Sequence, residues 1–233
     1  MTAALELAGV SSGYGEALVL RDLDLAVQPG EIFALLGKNG MGKSTLLKTI
    51  MGYLPARNGS IRVDGTETTR LPPHRIARRS IAYTPQEQAL FQDLTLADNL
   101  RLVVPDNRIQ AGLDRIAEWF PVLRERLRQR AGTLGGGEQK MLLVARALLP
   151  QANLMLIDEI SEGLQPTMIA AVARALNAER RRRPVAILLV EQNVPFAFSL
   201  ADRFAVLKRG EIVARGDVAA QDARSIVEGH LSI

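Results

Sequence analysis

A glycine-rich segment between an apolar run and a helical pattern constrains the fold of this chain more than any other feature. The segment fits G-x-x-x-x-G-K-[ST] and directly follows the apolar run Ile32–Leu36. Glycines let the backbone curl so that successive N–H groups point inward, and the helix that follows presents its positive end to a phosphate. The sequence therefore predicts a phosphate-binding loop, which consists of Gly37, Lys38, Asn39, Gly40, Met41, Gly42, Lys43 and Ser44 and continues into Thr45.

Two acids at the end of a second apolar run supply the other half of such a site. Asp158 and Glu159 follow Leu154–Ile157, so we expect them at the carboxyl edge of a sheet, where open α/β folds bind ligands. Lys43 would reach the terminal phosphates, and the Ser44 hydroxyl would ligate Mg²⁺. Asp158 would hold the same metal through its water shell, and Glu159 would polarise the attacking water. An Asn-Lys-x-Asp guanine-recognition motif is absent from the sequence, which disfavours a GTPase.

The alternation of apolar runs and helical patterns predicts an α/β fold. Continuous apolar runs, typical of strands buried on both faces of a parallel sheet, occur at Ile32–Leu36, Leu154–Ile157 and Val185–Val190. Polar alternation in the first thirty residues and in Ser60–Thr69 predicts an antiparallel flap, and Glu87–Arg130 has the pattern of a small helical insertion. A helix expected at Met141–Leu149 and a later one would present buried faces made of Met141, Leu142, Ala145 and Leu148 and of Ala170, Val172, Ala173 and Leu176.

Composition argues against several other kinds of function. The chain has no cysteine, which removes disulfides, thiolate metal sites and cysteine nucleophiles. Only 4% of residues are aromatic, and the net charge of +4 comes largely from arginines that we assign to solvated helix faces, so no nucleic-acid partner is expected. The sequence shows neither a signal peptide nor an apolar run long enough to cross a bilayer. His74 and His230 lack partners for a triad or a metal site, and both are expected on the surface.

A third motif lies between the phosphate loop and the acid pair. It resembles the signature motif of ABC ATPases, usually written L-S-G-G-[QE], and reads Leu134-Gly135-Gly136-Gly137-Glu138. Gln86 resembles the glutamine of their Q-loop, and the order of the four motifs matches that family over nearly the whole chain. The resemblance implies a P-loop NTPase (RecA-like) core with an antiparallel β flap and a small helical subdomain. It also implies a single ABC ATPase domain over residues 1–233, with the core and flap in 1–86 and 150–233 and the helical signature subdomain in 87–149.

The resemblance implies further roles for individual residues. Two chains of this family sandwich two ATP molecules with Mg²⁺, and each signature faces the ATP held by the other chain. Tyr14 resembles the aromatic residue that stacks on adenine, Gln86 would sense the metal and the membrane partner, and Gln192 occupies the place of the switch histidine. The catalytic residues would then be Glu159, Lys43 and Gln192, the metal site would contain Ser44, Gln86 and Asp158, and the nucleotide would also contact Gly135, Gly136, Gly137 and Glu138.

Other segments resemble a narrower group, the smaller of two ATPase subunits in importers of branched-chain amino acids, and especially their urea and short-amide branch. These segments are Leu47–Gly52, Leu54–Arg57 and Glu159–Pro166. The resemblance implies a motor subunit that lies peripherally on the cytoplasmic face of the inner membrane. Its partners would be a second ABC ATPase subunit, two transmembrane permease subunits whose coupling helix docks near Glu87–Leu100, and, indirectly, a periplasmic solute-binding protein.

Several positions depart from the broad family pattern. Gly135 stands where a serine would offer its hydroxyl to the partner's γ-phosphate, and Gln192 stands where a histidine is usual. Ile160 replaces the usual proline after the acids, and Gln165 replaces the loop aspartate. In a heterodimer with a larger, conventional subunit, each composite site would carry only one of the Gly135 and Gln192 departures. We therefore expect a heterodimer, with a homodimer as the alternative.

A soluble ABC protein that acts as an assembly or scaffold factor, for example in iron–sulfur cluster maturation, is the main alternative function. It would carry the same core motifs, so only the narrower resemblance argues against it. A DNA-repair or chromosome-organising ATPase is disfavoured because the sequence has no sustained heptads of a long coiled coil. Ribosome-associated relatives carry two cassettes per chain, whereas this sequence has one.

Overall fold

Strands and helices alternate along the chain in the computed structural model, which describes residues 2–86, 90–104 and 106–231. The strands are β1 (Leu5–Tyr14), β2 (Ala17–Val27), β3 (Ile32–Leu36), β4 (Ala56–Val63), β5 (Thr66–Glu67), β6 (Ile81–Thr84), β7 (Leu154–Asp158), β8 (Ala186–Glu191), β9 (Arg203–Lys208) and β10 (Glu211–Asp217). The helices are α1 (Lys43–Ile50), α2 (Pro73–Ala77), α3 (Leu96–Arg101), α4 (Asp106–Trp119), α5 (Pro121–Glu125), α6 (Gly136–Leu148), α7 (Pro166–Arg182), α8 (Val194–Phe198) and α9 (Ala223–Leu231). The α/β class is confirmed.

The larger sheet sets the position of the functional residues. Within the described ranges its strand order is β10-β9-β3-β8-β7-β6, with parallel pairing from β9 to β6 and an antiparallel β10. Every residue of β3, β7 and β8 is buried, as their continuous apolar sequences predict. Leu36 pairs with Glu191, and Asp158 pairs with Val190. The segments that follow these three parallel strands therefore leave the sheet at the same edge.

The smaller sheet is the predicted antiparallel flap, with strand order β2-β1-β4-β5. It lies against the β9–β10 turn, where Gly210 has a φ of 83°. A Cβ added to Gly210 would lie 1.8 Å from the Val19 carbonyl oxygen, and the Gly210 carbonyl accepts a hydrogen bond from the Arg21 N–H at 2.9 Å. Only glycine permits this close approach. The contact joins the flap, and Tyr14 at the end of β1, to the edge of the larger sheet.

The helical segment after β6 packs into the same molecule through a continuous apolar core. Leu96, Leu100, Phe120 and Leu123 share this core with Leu142 of α6 and with the buried strands. In the described part of the segment, the isolated bridge between Thr95 and Arg130 is the one β pairing. Residues 87–89, part of the expected docking region Glu87–Leu100, lie outside the described residues. The division into subdomains at residues 87 and 150 stays a prediction.

Two helices differ in detail from the sequence expectation. The predicted buried residues Met141, Leu142, Ala145 and Leu148 of α6 are all buried, but this helix begins at Gly136 rather than at Met141. On α7, the expectation that Ala170 is buried was wrong, because this residue is exposed while Val172 and Leu176 are buried. Ala170 lies about 200° around the helix from Val172, and α7 packs through the Val172 face.

Candidate functional site

The phosphate-binding loop connects β3 to α1 and requires glycine at several positions. Gly40 and Gly42 have φ values of 78° and 105°, in the left-handed region that favours glycine. A Cβ added to Gly37 would lie 2.6 Å from the Leu207 carbonyl oxygen, so a side chain at Gly37 is excluded by contact rather than by conformation. α1 begins at Lys43, directly after the last glycine of the loop. The positive end of this helix therefore adjoins the loop, as an anion-binding site requires.

Lys43 is buried and joins the loop to the acid pair. Its Nζ donates hydrogen bonds to the carbonyl oxygens of Gly37 at 2.7 Å and Lys38 at 2.8 Å. The same Nζ lies 2.8 Å from Glu159 Oε1, and the two side chains are only 3% and 7% exposed. Removing one partner of a buried ion pair strongly destabilises the folded protein, because the other charge is left uncompensated. A bound phosphate would therefore compete with Glu159 for an ammonium that is already paired.

Glu159 lies in a strained turn at the end of β7. Its φ of 45° is in the left-handed region, which non-glycine residues rarely adopt unless their surroundings hold them there. Its N–H donates to the Val190 carbonyl oxygen at 2.9 Å. Its Oε2 accepts a hydrogen bond from Gln86 Nε2 at 2.9 Å, and the same Nε2 lies 2.9 Å from Glu162 Oε2. The structure thus brings together Lys43, Gln86 and Glu159, three of the residues predicted for this site.

Asp158 and Ser44 form a second polar pair beside the loop. Asp158 is buried and accepts a hydrogen bond from the Ser44 hydroxyl, but its Oδ1 has no partner among the residues that the structure describes. Burial raises the pKa of the Asp158 carboxyl to about 6, although the Ser44 hydrogen bond and the charge of Lys43 act in the opposite direction. Mg²⁺ prefers oxygen ligands, and a buried, unpartnered carboxylate oxygen next to a hydroxyl fits such an ion.

Two adjoining cavities lie over these residues. The first, of about 390 Å³, is lined by Tyr14, Asn39, Gly40, Gly42, Lys43, Ser44, Thr45, Gln86 and Glu159, all predicted, and by Val19, which sequence reasoning missed. Tyr14 is 47% exposed, so its ring is accessible to a ligand. The second cavity, of about 430 Å³, shares Asn39 and Glu159 with the first and is also lined by Gln192. The two cavities together are therefore lined by Tyr14, most of the loop, Gln86, Glu159 and Gln192.

Two residues of the predicted loop lie elsewhere. Lys38 and Met41 line a separate cavity of about 120 Å³, together with Arg209 and His230. The Arg209 N–H donates to Met41 Sδ at 3.3 Å, which ties the loop to the β9–β10 turn. His230 is half-buried here and not fully on the surface as expected, whereas His74 is exposed.

The signature segment forms the first turn of α6 and its N-cap. The Gly135 N–H donates to Glu138 Oε2 at 3.3 Å, and that carboxylate pairs with Arg126 Nη1 at 2.9 Å. A Cβ added to Gly137 would lie 2.3 Å from Met168 Sδ, so α6 packs closely on α7 at this glycine. In the described part of the chain, no signature residue lines either of the two cavities beside Glu159. The separation agrees with the resemblance, in which the signature serves a second chain.

Several residues around Glu159 were missed by sequence reasoning. Lys140 of α6 donates from Nζ to the carbonyl oxygens of Glu159, at 3.2 Å, and of Glu162. Glu191 accepts hydrogen bonds from the Ser161 N–H at 3.0 Å and from the Ser161 hydroxyl at 2.8 Å, and burial raises its pKa. The sequence shows the acids near the ends of β7 and β8. It does not show the residues that contact them, such as Lys140 and Ser161, because these come from other parts of the chain.

A wide, mostly apolar groove of about 690 Å³ lies beside β6, between the end of α1 and α6. Met51, Leu54 and Leu143 are among its apolar lining residues, and Tyr53, which also lines it, is 57% exposed. The lining residues Thr84 and Pro85 lead directly into Gln86. A partner in this groove would therefore contact the segment that positions Gln86.

A family model described as "ABC transporter" matches residues 20–162. The match covers more than half of the chain and includes the phosphate loop, Gln86, the signature and the acid pair. The chain belongs to the ABC transporter family.

Relatives of this ABC protein cover nearly its whole length. Over 214 residues, which are 91% of each chain, it is 44% identical to the high-affinity branched-chain amino acid transport ATP-binding protein BraG of Pseudomonas aeruginosa. Over 210 residues, which are 89% of each chain, it is 36% identical to the probable branched-chain amino acid transport ATP-binding protein LivF of Archaeoglobus fulgidus. A solved ATP-binding subunit of an ABC transporter matches with a TM-score of 0.84 and 30% identity, over 100% of this chain and 95% of that chain.

These findings confirm the predicted fold class and the ATPase family. The chain is an ATP-binding protein of the ABC transporter family. None of the helices in the described ranges is both long enough and apolar enough to cross a bilayer. The relatives above are transport proteins by name, so the alternative of a soluble iron–sulfur assembly factor gains no support.

Proposed function

We propose that this ABC protein is the ATP-hydrolysing motor subunit of an importer for branched-chain amino acids, urea or short-chain amides. The 2.8 Å contact between Lys43 Nζ and Glu159 Oε1 carries the proposal, because it brings a phosphate-binding cation and a general base to one point. The similarity to BraG and LivF supports the solute class. The protein would work at the cytoplasmic face of the inner membrane, and uptake of labelled leucine or urea by vesicles that hold the assembled importer tests the cargo.

ATP would occupy the cavity over the loop, with adenine against Tyr14 and the phosphates along residues 37–44. The γ-phosphate would draw the Lys43 ammonium away from Glu159, since both compete for the same cation. The Glu159 carboxylate would then be available to accept a proton from the attacking water. Gln192, which lines the adjoining cavity, would donate one hydrogen bond to a phosphate oxygen.

Asp158 and Ser44 would hold Mg²⁺ at the end of β7, with Gln86 beside them. When bound, Mg²⁺ would supply the positive charge that offsets the negative charge developing on the phosphate. The unpartnered Asp158 Oδ1 supports this assignment. The chain's own contribution is to fix a carboxylate and a hydroxyl next to each other, because the Ser44–Asp158 hydrogen bond orients both.

A second ATPase subunit would complete each nucleotide site through its signature segment. The position of Gly135–Glu138 outside the two cavities of its own chain supports this arrangement. We favour a larger, conventional subunit as the partner, because each composite site of that heterodimer would carry only one of the Gly135 and Gln192 departures. The coupling helix of one permease subunit would dock in the groove beside β6, whose lining residues Pro85 and Val103 flank the expected docking segment Glu87–Leu100. The apolar lining and the exposed Tyr53 suit a helix of the membrane partner.

The substitution Glu159→Gln tests the catalytic assignment. We expect hydrolysis by the assembled transporter to fall by about 100-fold or more, the effect of losing a general base. ATP affinity should stay equal or increase, because glutamine leaves Lys43 without its anionic competitor. Phosphate release and calorimetric ATP binding measure the two effects separately.

Glu211→Gln is the matched control, because Glu211 lies on β10 with a side chain that is 58% exposed. This variant should hydrolyse ATP at the wild-type rate. Undiminished hydrolysis by Glu159→Gln would reject Glu159 as the catalytic carboxylate.

A further inference from the structure

Lys140 connects the signature helix to the turn that carries Glu159. It lies in the second turn of α6, two residues after Glu138. Its Nζ donates to the carbonyl oxygens of Glu159, at 3.2 Å, and of Glu162. One ammonium therefore holds both ends of the four-residue turn 159–162 from a helix that is distant in sequence.

The turn held by Lys140 needs such support. Glu159 has a φ of 45°, a conformation that costs about 1–3 kcal/mol and persists only where neighbouring groups determine it. The Glu159 N–H is held by the Val190 carbonyl oxygen, and its carboxylate is held by Lys43 and Gln86. The hydrogen bond from Lys140 holds the remaining polar group of this residue, its carbonyl oxygen.

The charges around Lys140 also favour this position. Burial lowers the pKa of its half-buried ammonium, and the carboxylates of Glu162, Glu191 and Glu159 offset part of this effect. Gln86 Nε2 bridges Glu159 Oε2 and Glu162 Oε2, both at 2.9 Å. When a phosphate takes Lys43 away from Glu159, Lys140 stays as a cation next to these acids. The turn then depends more strongly on Lys140 than it does without nucleotide.

We propose that Lys140 is a positioning residue that fixes Glu159 for catalysis and couples it to the signature segment of the same chain. The inference rests on the proposed function, because it requires ATP at the loop and a second ATP against the signature. A partner's nucleotide that orders the first turn of α6 also orders Lys140, and Lys140 aligns Glu159 at this chain's own nucleotide. The two composite sites are therefore linked within one subunit.

The test compares Lys140→Met, Lys140→Arg and Arg224→Met in the full-length chain assembled with its partner subunits. At position 140, methionine keeps the length of the side chain but removes the charge and the donors, whereas arginine keeps both. Arg224 is exposed on α9, away from the turn and from the cavities described above, and serves as the control. The readouts are kcat, KM and the Hill coefficient for MgATP hydrolysis, together with calorimetric ATP binding.

We expect Lys140→Met to lower kcat by about tenfold or more, with ATP affinity within about twofold of wild type. Its Hill coefficient should fall towards one, Lys140→Arg should recover most of the kcat, and Arg224→Met should match wild type. A kcat for Lys140→Met near the wild-type value, an equal loss in Lys140→Arg, or a parallel loss of ATP affinity would each overturn the inference. Failure of the wild-type chain to bind MgATP would instead overturn the proposed function.

Discussion

Gly135 has no side chain at the position where the signature motif of the family has a hydroxyl. Its backbone has φ −62° and ψ 150°, which any residue can adopt, and it caps α6. A Cβ added there would come no closer than 4.0 Å to Glu138 Oε2. A serine would therefore fit without strain, and its side chain would also be a favourable N-cap. The missing hydroxyl is a chemical difference at this residue and has no steric cause.

At this residue we expect Gly135→Ser to raise ATP turnover of the assembled transporter. A hydrogen bond to a charged phosphate is worth about 1.5–3 kcal/mol, so we expect a gain of about tenfold or more in turnover. Gly229→Ser is the control. Gly229 lies on α9, and a Cβ added there meets nothing within 4 Å, so a serine fits at this position as well. Steady-state phosphate release measures both variants, and an unchanged or lower turnover in Gly135→Ser would count against a lost donor.

Residue positions could be predicted where a motif follows a buried strand. Lys43, Gln86 and Glu159 converge because β3, β6 and β7 are parallel, and the motifs follow their carboxyl ends. Lys140 and Glu162 could not be predicted, because their contacts depend on how α6 packs against a turn distant in sequence. Long-range side-chain contacts of this kind have no periodic signal in a single sequence.

Strands and helices could be predicted best where their apolar residues form a continuous run or a clear period. β3, β7 and β8 are short and entirely buried, so their continuous apolar runs identified them. The start of α6 was placed too late, because its first residues, Gly136 and Gly137, have low helix propensity, and the packing of Gly137 on Met168 of α7 has no signal in the sequence. At the end of α7, Arg182 and Arg183 pair with the buried Glu179, a contact that a charge count cannot show.

The groove between α1, β6 and α6 gives a prediction at the level of elements. Tyr53→Glu places a charge on an exposed aromatic of the groove, and aromatic residues at the centre of an interface often contribute about 2 kcal/mol or more. We expect recovery of the permease subunits with this variant from detergent extracts to fall to roughly a tenth or less. ATP binding by the isolated chain should not change, since Tyr53 lines neither cavity beside Glu159.

Val213→Glu is the control for this experiment. Val213 is an apolar residue of β10 that is 40% exposed, and it lies outside the groove lining. The Val213→Glu variant should co-purify with the permease subunits as well as the wild-type protein does. Equal permease recovery with Tyr53→Glu would show that the groove is not the docking surface.

At the scale of the whole molecule, the proposed function gives this chain one half of each of two nucleotide sites. Most of its loop, Glu159 and Tyr14 line the two cavities, while its signature turn lies outside them. In this proposal a second subunit closes over the ATP, and Lys140 joins the signature helix to the turn of Glu159. The sequence order of the four motifs predicts such a division, but it could not show the contact that Lys140 makes.

Binding of MgATP to the isolated chain tests the account most directly. Calorimetry on the Glu159→Gln variant, in which ATP is not consumed, should show saturable binding that is lost in a second variant that also carries Lys43→Ala. Arg224→Ala, at an exposed position of α9, should bind normally in the same background. Absence of any detectable binding by folded Glu159→Gln protein in the presence of Mg²⁺, or undiminished binding after Lys43→Ala, would contradict the account.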